Sequence, residues 1–357
     1  MTRNKNQDDD DNASSSSSSS SSSRKRFKNF DHNGVAFWSD INHDVLFLVM
    51  MQLGFVDFFA FSGVCKSWRS FALSNRNTFM ASKPPMKISI EPRDNKEDSY
   101  CCLEDFKVQR FKTILPHSSD RICFGLTCGY LVLFGRETRD FWLVNPITKH
   151  ELHFPYYPLY VAARIKKLRT ILVFAPSISR WVFVLLHKKI SFSIAGIQGW
   201  HHVSSTCIRD LQYFKGKIYT LHIDFSLRQL RLGLKQKHRW MLLTKNFPNP
   251  KLFNPQFVSS GENLYVMSHS GLLPKRVMEL DFGEMKWVLP DKTMYAFFIG
   301  NRNYSAAFKL GSWADPQTQH KSSEYFLGDD KSRKCMFFYE LMWYFPHDCL
   351  NVFRFDE

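Results

Sequence analysis

The side chains in this chain that could do chemistry are its cysteines, histidines and carboxylates, and their spacing argues against a catalytic or metal centre. Eight cysteines are present. A zinc site built from them would show two short paired spacings. Cys101-Cys102 is a contiguous pair and Cys123 and Cys128 have four residues between them, so neither supplies such a framework. The chain shows no export signal, and reduced thiols are the expectation. His150-Glu151-Leu152-His153 sets its histidines three positions apart, whereas a zinc-protease helix needs them four apart on one face. That segment reads as a strand following the turn at Asn145-Pro146. His201-His202, beside Trp200, reads as a surface or packing feature. Neither a phosphate-cradling glycine loop ending in Lys-Ser/Thr nor a Gly-x-Ser-x-Gly elbow occurs. No catalytic residue, cofactor or metal is expected, and the chain reads as non-catalytic.

The strongest signal lies near the front, from Trp38 to Ser70, and predicts three short helices. The first runs from about Asp44 to Leu53, with seven consecutive apolar residues from Val45 to Met51. Asn42 is placed to cap it, and Gly54 stops it. Asp57 is expected to cap a second helix carrying Phe58, Phe59, Phe61 and Val64. A third passes through Cys65, Trp68, Phe71 and Ala72, and Lys83-Pro84-Pro85 ends it. A surface helix needs one apolar stripe roughly 100° wide, and the first helix exceeds that on nearly every side. A module of about 40 residues has little interior. The excess must be covered by the rest of the chain or by another protein, which predicts a docking module.

In order and spacing, Trp38, Asp40, Asp44, Leu46, Leu48, Leu53, Asp57, Phe61, Val64, Cys65, Lys66, Trp68 and Arg69 resemble an F-box. Ile41 stands where that pattern has Leu, and Asn42 where it has the Pro that opens the first helix. The resemblance implies docking onto a Skp-family adaptor, and through it onto a cullin–RING ubiquitin ligase. The implied contacts are Trp38, Ile41, Val45, Leu46, Leu48, Val64, Cys65 and Trp68, with Cys65 an apolar docking residue rather than a nucleophile.

Residues 1–37 read as a disordered tail, with an acidic run at Asp8–Asp11 and an unbroken serine tract at Ser14–Ser23. The basic cluster Arg24, Lys25, Arg26 and Lys28 could serve nuclear import, so the expected location is nucleus, cytoplasm or both. No apolar run approaches the ~18–20 residues needed to span a bilayer, and no membrane association is expected.

Residues 38–80 form the helical module, and residues 81–357 change texture. Short aromatic and β-branched runs alternate with Gly, Pro, Asn and Asp turns, as in an all-β domain. Phe214–Tyr219 and Ser260–Tyr265 repeat one device, a glycine turn leading into a strand with an aromatic. Gly216 and Gly261 are 45 residues apart, Gly129 lies 87 before Gly216, and Tyr304–Phe308 falls near the next step. A period of about 40–50 residues with several strands per unit predicts propeller blades, although residues 160–205 fit poorly. A β-sandwich or two stacked β domains is the rival arrangement. Gly125-x3-Gly129-Tyr130-Leu131 followed by Asn145-Pro146-Ile147-Thr148, with later landmarks at Phe297–Gly300 and Trp343–Pro346, resembles plant F-box proteins bearing a degenerate, kelch-like propeller. The fold class is therefore α+β multidomain, a three-helix F-box followed by a β-propeller domain.

The formal net charge is +15, nearly all of it beyond residue 80. Clusters at Arg164, Lys166, Lys167 and Arg169, at Lys188 and Lys189, and at Arg228, Arg231, Lys235, Lys237 and Arg239 predict attraction of an acidic or phosphorylated target protein. A nucleic-acid- or chromatin-associated basic propeller is the alternative, and an enzyme using the propeller's central pocket a third. The F-box resemblance implies the substrate-recognition subunit of an SCF-type ligase. The target and its contact residues are not legible.

Overall fold

The computed structural model describes residues 38–93, 97–106, 109–158, 168–187, 189–203, 207–233, 239–244, 255–260, 263–268, 277–290, 295–300, 305–309, 322–326 and 334–346. The tail expected at 1–37 lies outside these. Contacts divide the chain into two units, Met1–Ile41 and Asn42–Glu357. In the first, Trp38–Asp40 forms a single 3-10 turn.

The second unit opens with α1 (His43–Gln52), α2 (Phe55–Ser62) and α3 (Lys66–Ser82). Strands follow in groups. β1 (Met86–Glu91), β2 (Tyr100–Glu104) and β3 (Arg110–Ile114) form an antiparallel meander. So do β4 (Arg121–Thr127), β5 (Tyr130–Gly135), β6 (Phe141–Val144) and β7 (Glu151–Phe154). β8 (Arg169–Ala175), β9 (Arg180–Leu186), β10 (Ile190–Ile194) and β11 (His201–Val203) make the third sheet. β12 (Ile208–Phe214), β13 (Lys217–His222), β14 (Leu227–Arg231) and β15 (Arg239–Leu242) make the fourth.

The last sheet is composite. It runs β16 (Pro255–Ser259), β17 (Leu264–Ser268), β18 (Val277–Asp281) and β19 (Lys286–Val288), again as a meander. A single parallel pair, Ser259 with Ala306, joins it to β20 (Tyr295–Gly300), β21 (Ala306–Lys309), β22 (Ser322–Phe326) and β23 (Lys334–Glu340). There the order is β21-β20-β23-β22, with β20 and β23 parallel. Finally β24 (Trp343–Tyr344) returns to the first sheet, pairing Tyr344 with Met86 and Trp343 with Lys87. Lys87 also meets Glu340 at 3.0 Å. Five sheets among the described residues, closed by the last strand on the first, make a five-bladed, propeller-like arrangement.

Alternation along the strands shows what holds neighbouring sheets together. On β9 every residue from Trp181 to Leu186 is buried. Trp181, Phe183 and Leu185 enter a cluster with Tyr130, Phe134, Phe141 and Phe154 of the second sheet. Val182, Val184 and Leu186 enter one with Leu211, Ile218 and Leu230 of the fourth. Period-2 geometry turns one apolar run into two interfaces. Phe214, Tyr219 and Leu227 meet Phe257, Leu264 and Trp287 in the same way.

Side chains also bridge the first strands of consecutive sheets. Thr127 Oγ1 on β4 accepts from Leu172 N on β8 at 3.1 Å. Asp210 on β12 accepts from Phe257 N on β16 at 2.7 Å and from its neighbour Leu211 N at 2.9 Å, and Arg169 Nε on β8 reaches it at 3.0 Å. Gln212 donates to Ser259 Oγ at 3.2 Å. Polar groups otherwise left at strand edges are thereby satisfied. Burial pushes the Asp210 carboxyl above its ordinary range, while Arg169 and the two backbone N–H groups pull it down.

The glycine device is a tight turn with positive φ at both central residues. Cys128 (φ 47°) and Gly129 (φ 77°) link β4 to β5, and Lys215 (φ 45°) and Gly216 (φ 77°) link β12 to β13. The two turns occupy the same place two sheets apart. The corresponding turn between β8 and β9 is a 3-10 turn, Pro176–Ile178, closed by Ser179 at φ 48°. That explains the poor fit of residues 160–205, because a serine fills the glycine's place while the sheet is regular. Asn145 Oδ1 accepts from Ile147 N and Thr148 N, both at 3.0 Å, so the Asn-Pro segment is an Asx turn joining β6 to β7.

Asp140 ties the second sheet together. Burial raises its pKa, but bonds from Arg121 at 2.6 Å, from Thr138 and from His153 at 3.0 Å outweigh that and bring it to about 2. A depressed carboxyl adds stability that is present above its unfolded value, about 3.9, and lost as pH falls through the folded one. The melting temperature of the wild type should therefore exceed that of Asp140→Asn at neutral pH. The gap should close between about pH 4 and pH 2, which paired thermal melts would follow.

Candidate functional site

The helical module presents an apolar surface because α1 carries two neighbouring apolar stripes, one buried and one exposed. Asn42 starts the helix as expected, its Oδ1 accepting from Asp44 N at 2.7 Å. Asp44 lies in the first turn, where negative charge complements the helix dipole. Removing the cap in Asn42→Ala should lower stability by about 1 kcal/mol, read from denaturant midpoints, with Asn42→Asp restoring it. On the inward stripe Leu46 and Met50 are 1% and 0% exposed. On the outward stripe Val45, Leu48 and Val49, spaced i, i+3, i+4, are 50%, 65% and 42% exposed.

The other two helices form the wall behind this stripe. Phe58 stacks on Phe79 at 4.3 Å and Phe61 lies against Trp68 at 4.5 Å. Two helix starts differ from expectation. α2 begins at Phe55 with Gly54 as its cap, and Asp57 sits inside the first turn. Its carboxylate folds back to 2.9 Å from where a Cβ on residue 54 would stand. α3 runs 17 residues, and its cap is Cys65, whose Sγ accepts from Trp68 N at 3.5 Å. Part of the apolar excess is covered within the unit, since Phe55 packs on Tyr344 of β24 at 5.7 Å.

The expected contact residues thus separate into groups. Val45, Leu48 and Val64 point outward, with Val64 at the α2–α3 turn 51% exposed. Leu46 and Trp68 belong to the module's interior, so they hold α1 in place rather than offer contact area. Cys65 is half-buried and engaged as a cap. In the first unit Trp38 is 67% exposed and Ile41 half-buried. Val49 joins the outward group without being part of the F-box pattern, and its i, i+4 spacing from Val45 is the sequence signal that marks it.

The residues considered for chemistry are engaged separately. His150 meets Tyr130 at 3.0 Å, His153 meets Asp140, and Glu151 meets His117 at 2.9 Å. They lie on or beside β7, the strand expected there. His202 meets Ser191 at 2.9 Å and His201 stacks on Phe192. Cys101 and Cys102 are buried in β2, and burial pushes the Cys101 thiol up. Among the described residues no group of three or more His, Cys, Asp or Glu is placed to hold a metal, and no helix is long and apolar enough to cross a membrane. Of the basic clusters, Arg169 is drawn into its pair with buried Asp210, a correction to its reading as a surface cation. Arg164, Lys166, Lys167, Lys188, Lys235 and Lys237 lie outside the described residues.

A three-helix module whose first helix keeps an exposed apolar stripe, followed by propeller-like sheets, defines a protein of the helical-module-plus-propeller class. Residues 38–80 match the F-box domain model, and residues 101–338 match the KIB1-4 beta-propeller model. The second match covers more than half of the chain, and the protein belongs to that propeller family and carries an F-box. It is similar to an F-box protein of Arabidopsis thaliana, 27% identical over 133 residues that cover 35% of this chain and 30% of the relative. A second F-box protein of that plant is 22% identical over 205 residues, 54% of this chain and 52% of the relative. The matches thus span about a third and about half of the two relatives' lengths. Among solved structures, the WD40 domain of SCAP from fission yeast aligns at 13% identity and a TM-score of 0.34, covering 61% of this chain and 57% of that one, a likeness too slight to bear on the fold.

Proposed function

We propose that this protein is the substrate-recognition subunit of an SCF-type cullin–RING ubiquitin ligase, in the nucleus, the cytoplasm or both. The observation that carries the proposal is the outward stripe Val45–Leu48–Val49 on the first helix of a stretch that matches an F-box. That stripe would dock on a Skp-family adaptor, and the propeller would hold a target protein so that its lysines face the ubiquitin-charged enzyme. The work done is proximity, a raised effective concentration in a fixed orientation. The subunit itself makes and breaks no bond, and it needs no cofactor or metal for this role. The nucleic-acid alternative is weakened by Arg169, whose guanidinium is committed to Asp210. The test is gel filtration of the purified full chain with purified Skp-family adaptor. Co-elution in a 1:1 complex is expected, and separate elution of two folded proteins would refute the proposal.

A further inference from the structure

The outermost strands of the sheets treat their charges in two different ways. On β3, Arg110 reaches Glu104 at 2.6 Å and Lys112 reaches Glu91 at 2.8 Å. On β7, Glu151 meets His117 and His153 meets Asp140, and Lys286 of β19 meets Glu284. Each of these charges is balanced by a carboxylate or histidine of its own sheet or of an adjoining turn.

β15 is different. Its register with β14 sets Arg239 directly opposite Arg231, and both are exposed. Among the described residues neither has an ion-pair partner. Nearby Arg228 is matched by Asp224 at 3.6 Å. Like charges directly opposite destabilise a strand pair, yet from Leu227 to Thr244 the sequence has five basic residues and no carboxylate.

The same strand has a free edge. Leu243 N donates to Leu227 O, so alternation turns the N–H groups of Arg239 and Met241 toward β14 and those of Trp240 and Leu242 outward. Among the described residues no strand pairs with that side. Met241 and Leu242 are 42% and 53% exposed.

We propose that β15 is where the target docks: an extended peptide segment bearing a phosphoserine or phosphothreonine adds to its free edge, with the phosphate held between Arg231 and Arg239. This rests on reading the chain as a substrate receptor. A phosphate carries about −1.5 to −2 charges near pH 7 and balances both arginines, whereas one carboxylate leaves a positive charge over. Guanidinium groups also suit bidentate phosphate bonding. Strand addition supplies main-chain bonds, and Met241 and Leu242 offer apolar contact for flanking side chains. A single nucleic-acid strand would need exposed aromatic faces for stacking, and Trp240 is partly buried against the cluster around Leu230.

The test uses the full chain and two fluorescent libraries of nine-residue peptides, degenerate except for a central phosphoserine in one and serine in the other, with oligothymidylate as a third probe. Phosphopeptides should bind at least about tenfold more tightly than their serine counterparts. The preference should vanish in Arg231→Gln/Arg239→Gln, which removes a repulsion and should fold. Leu242→Pro removes only an outward N–H, and binding should fall there too. Equal binding of both libraries, or full binding by the folded double variant, would overturn the inference. So would oligothymidylate binding without phosphopeptide binding. Gel filtration with the adaptor on the same preparation separates the two proposals. Adaptor binding without phosphopeptide binding overturns this one alone, and the reverse overturns the receptor reading alone.

Discussion

Replacing Leu48 by Asp is expected to weaken binding to a Skp-family adaptor by about a hundredfold or more while leaving the melting curve unchanged. Leu48 is 65% exposed, so a carboxylate there stays hydrated in the free protein and is stripped of water only in the complex. Burying one such side chain is worth about 1.5–3 kcal/mol, and an unpaired charge placed in the interface adds a further cost. The neighbouring position gives the contrast. Leu46 is 1% exposed, and Leu46→Ala should cost about 2–5 kcal/mol of stability, reducing binding only through loss of folded protein. Parallel adaptor titrations and thermal melts would separate the two effects. Equal melting losses in both variants would contradict the division of α1 into an inner and an outer stripe.

The second large effect is expected at Asp210. Removing its carboxylate in Asp210→Ala leaves Phe257 N and Leu211 N without this acceptor and takes a charged partner from Arg169. Breaking a buried pair of this kind costs about 3–5 kcal/mol, because the groups left behind have been taken from water and get nothing in return. Asp210→Asn should cost much less, since it keeps a side-chain oxygen while removing a charge whose burial is itself unfavourable. Denaturant midpoints for the two variants would check this order. The three donors lie on β8, β12 and β16, so Asp210→Ala should also speed amide exchange in the first strands of three consecutive sheets. Exchange confined to β12 would argue against a shared clamp.

These two sites differ in how far the sequence announced them. The three helices and the Asn42 cap follow from local chemistry, as does the excess of an apolar run too wide for one stripe, while Leu48 as a contact came from the F-box resemblance. The strands from Tyr130 to Phe134, Trp181 to Leu186 and Leu264 to Met267 follow from composition, and the shared turn at Gly129 and Gly216 marks their repeat. What local chemistry could not supply is pairing across distance. Asp210 lies 41 residues beyond Arg169 and 47 before Phe257, and nothing in the sequence joins them, so Arg169 read as one more surface cation. The return of Trp343 and Tyr344 to the first sheet was equally hidden, as was the composite last sheet, whose parallel pairing of β20 with β23 departs from the meander of the others. Leu46 and Trp68 show the converse limit. A resemblance identifies residues that matter without saying which support the surface and which form it. Cys65 shows the same limit, since a thiol acting as a helix cap carries no sequence mark separating it from an apolar contact.

The central claim, that α1 docks on an adaptor through its outer apolar stripe, is tested most directly by calorimetric titration of the full chain with a Skp-family adaptor at several temperatures. Saturable 1:1 binding with a negative heat-capacity change, the mark of buried apolar surface, is predicted for the wild type, with loss of binding in Leu48→Asp. A folded chain that gives no binding heat at any of the temperatures, or one that binds equally well with aspartate at position 48, would contradict it.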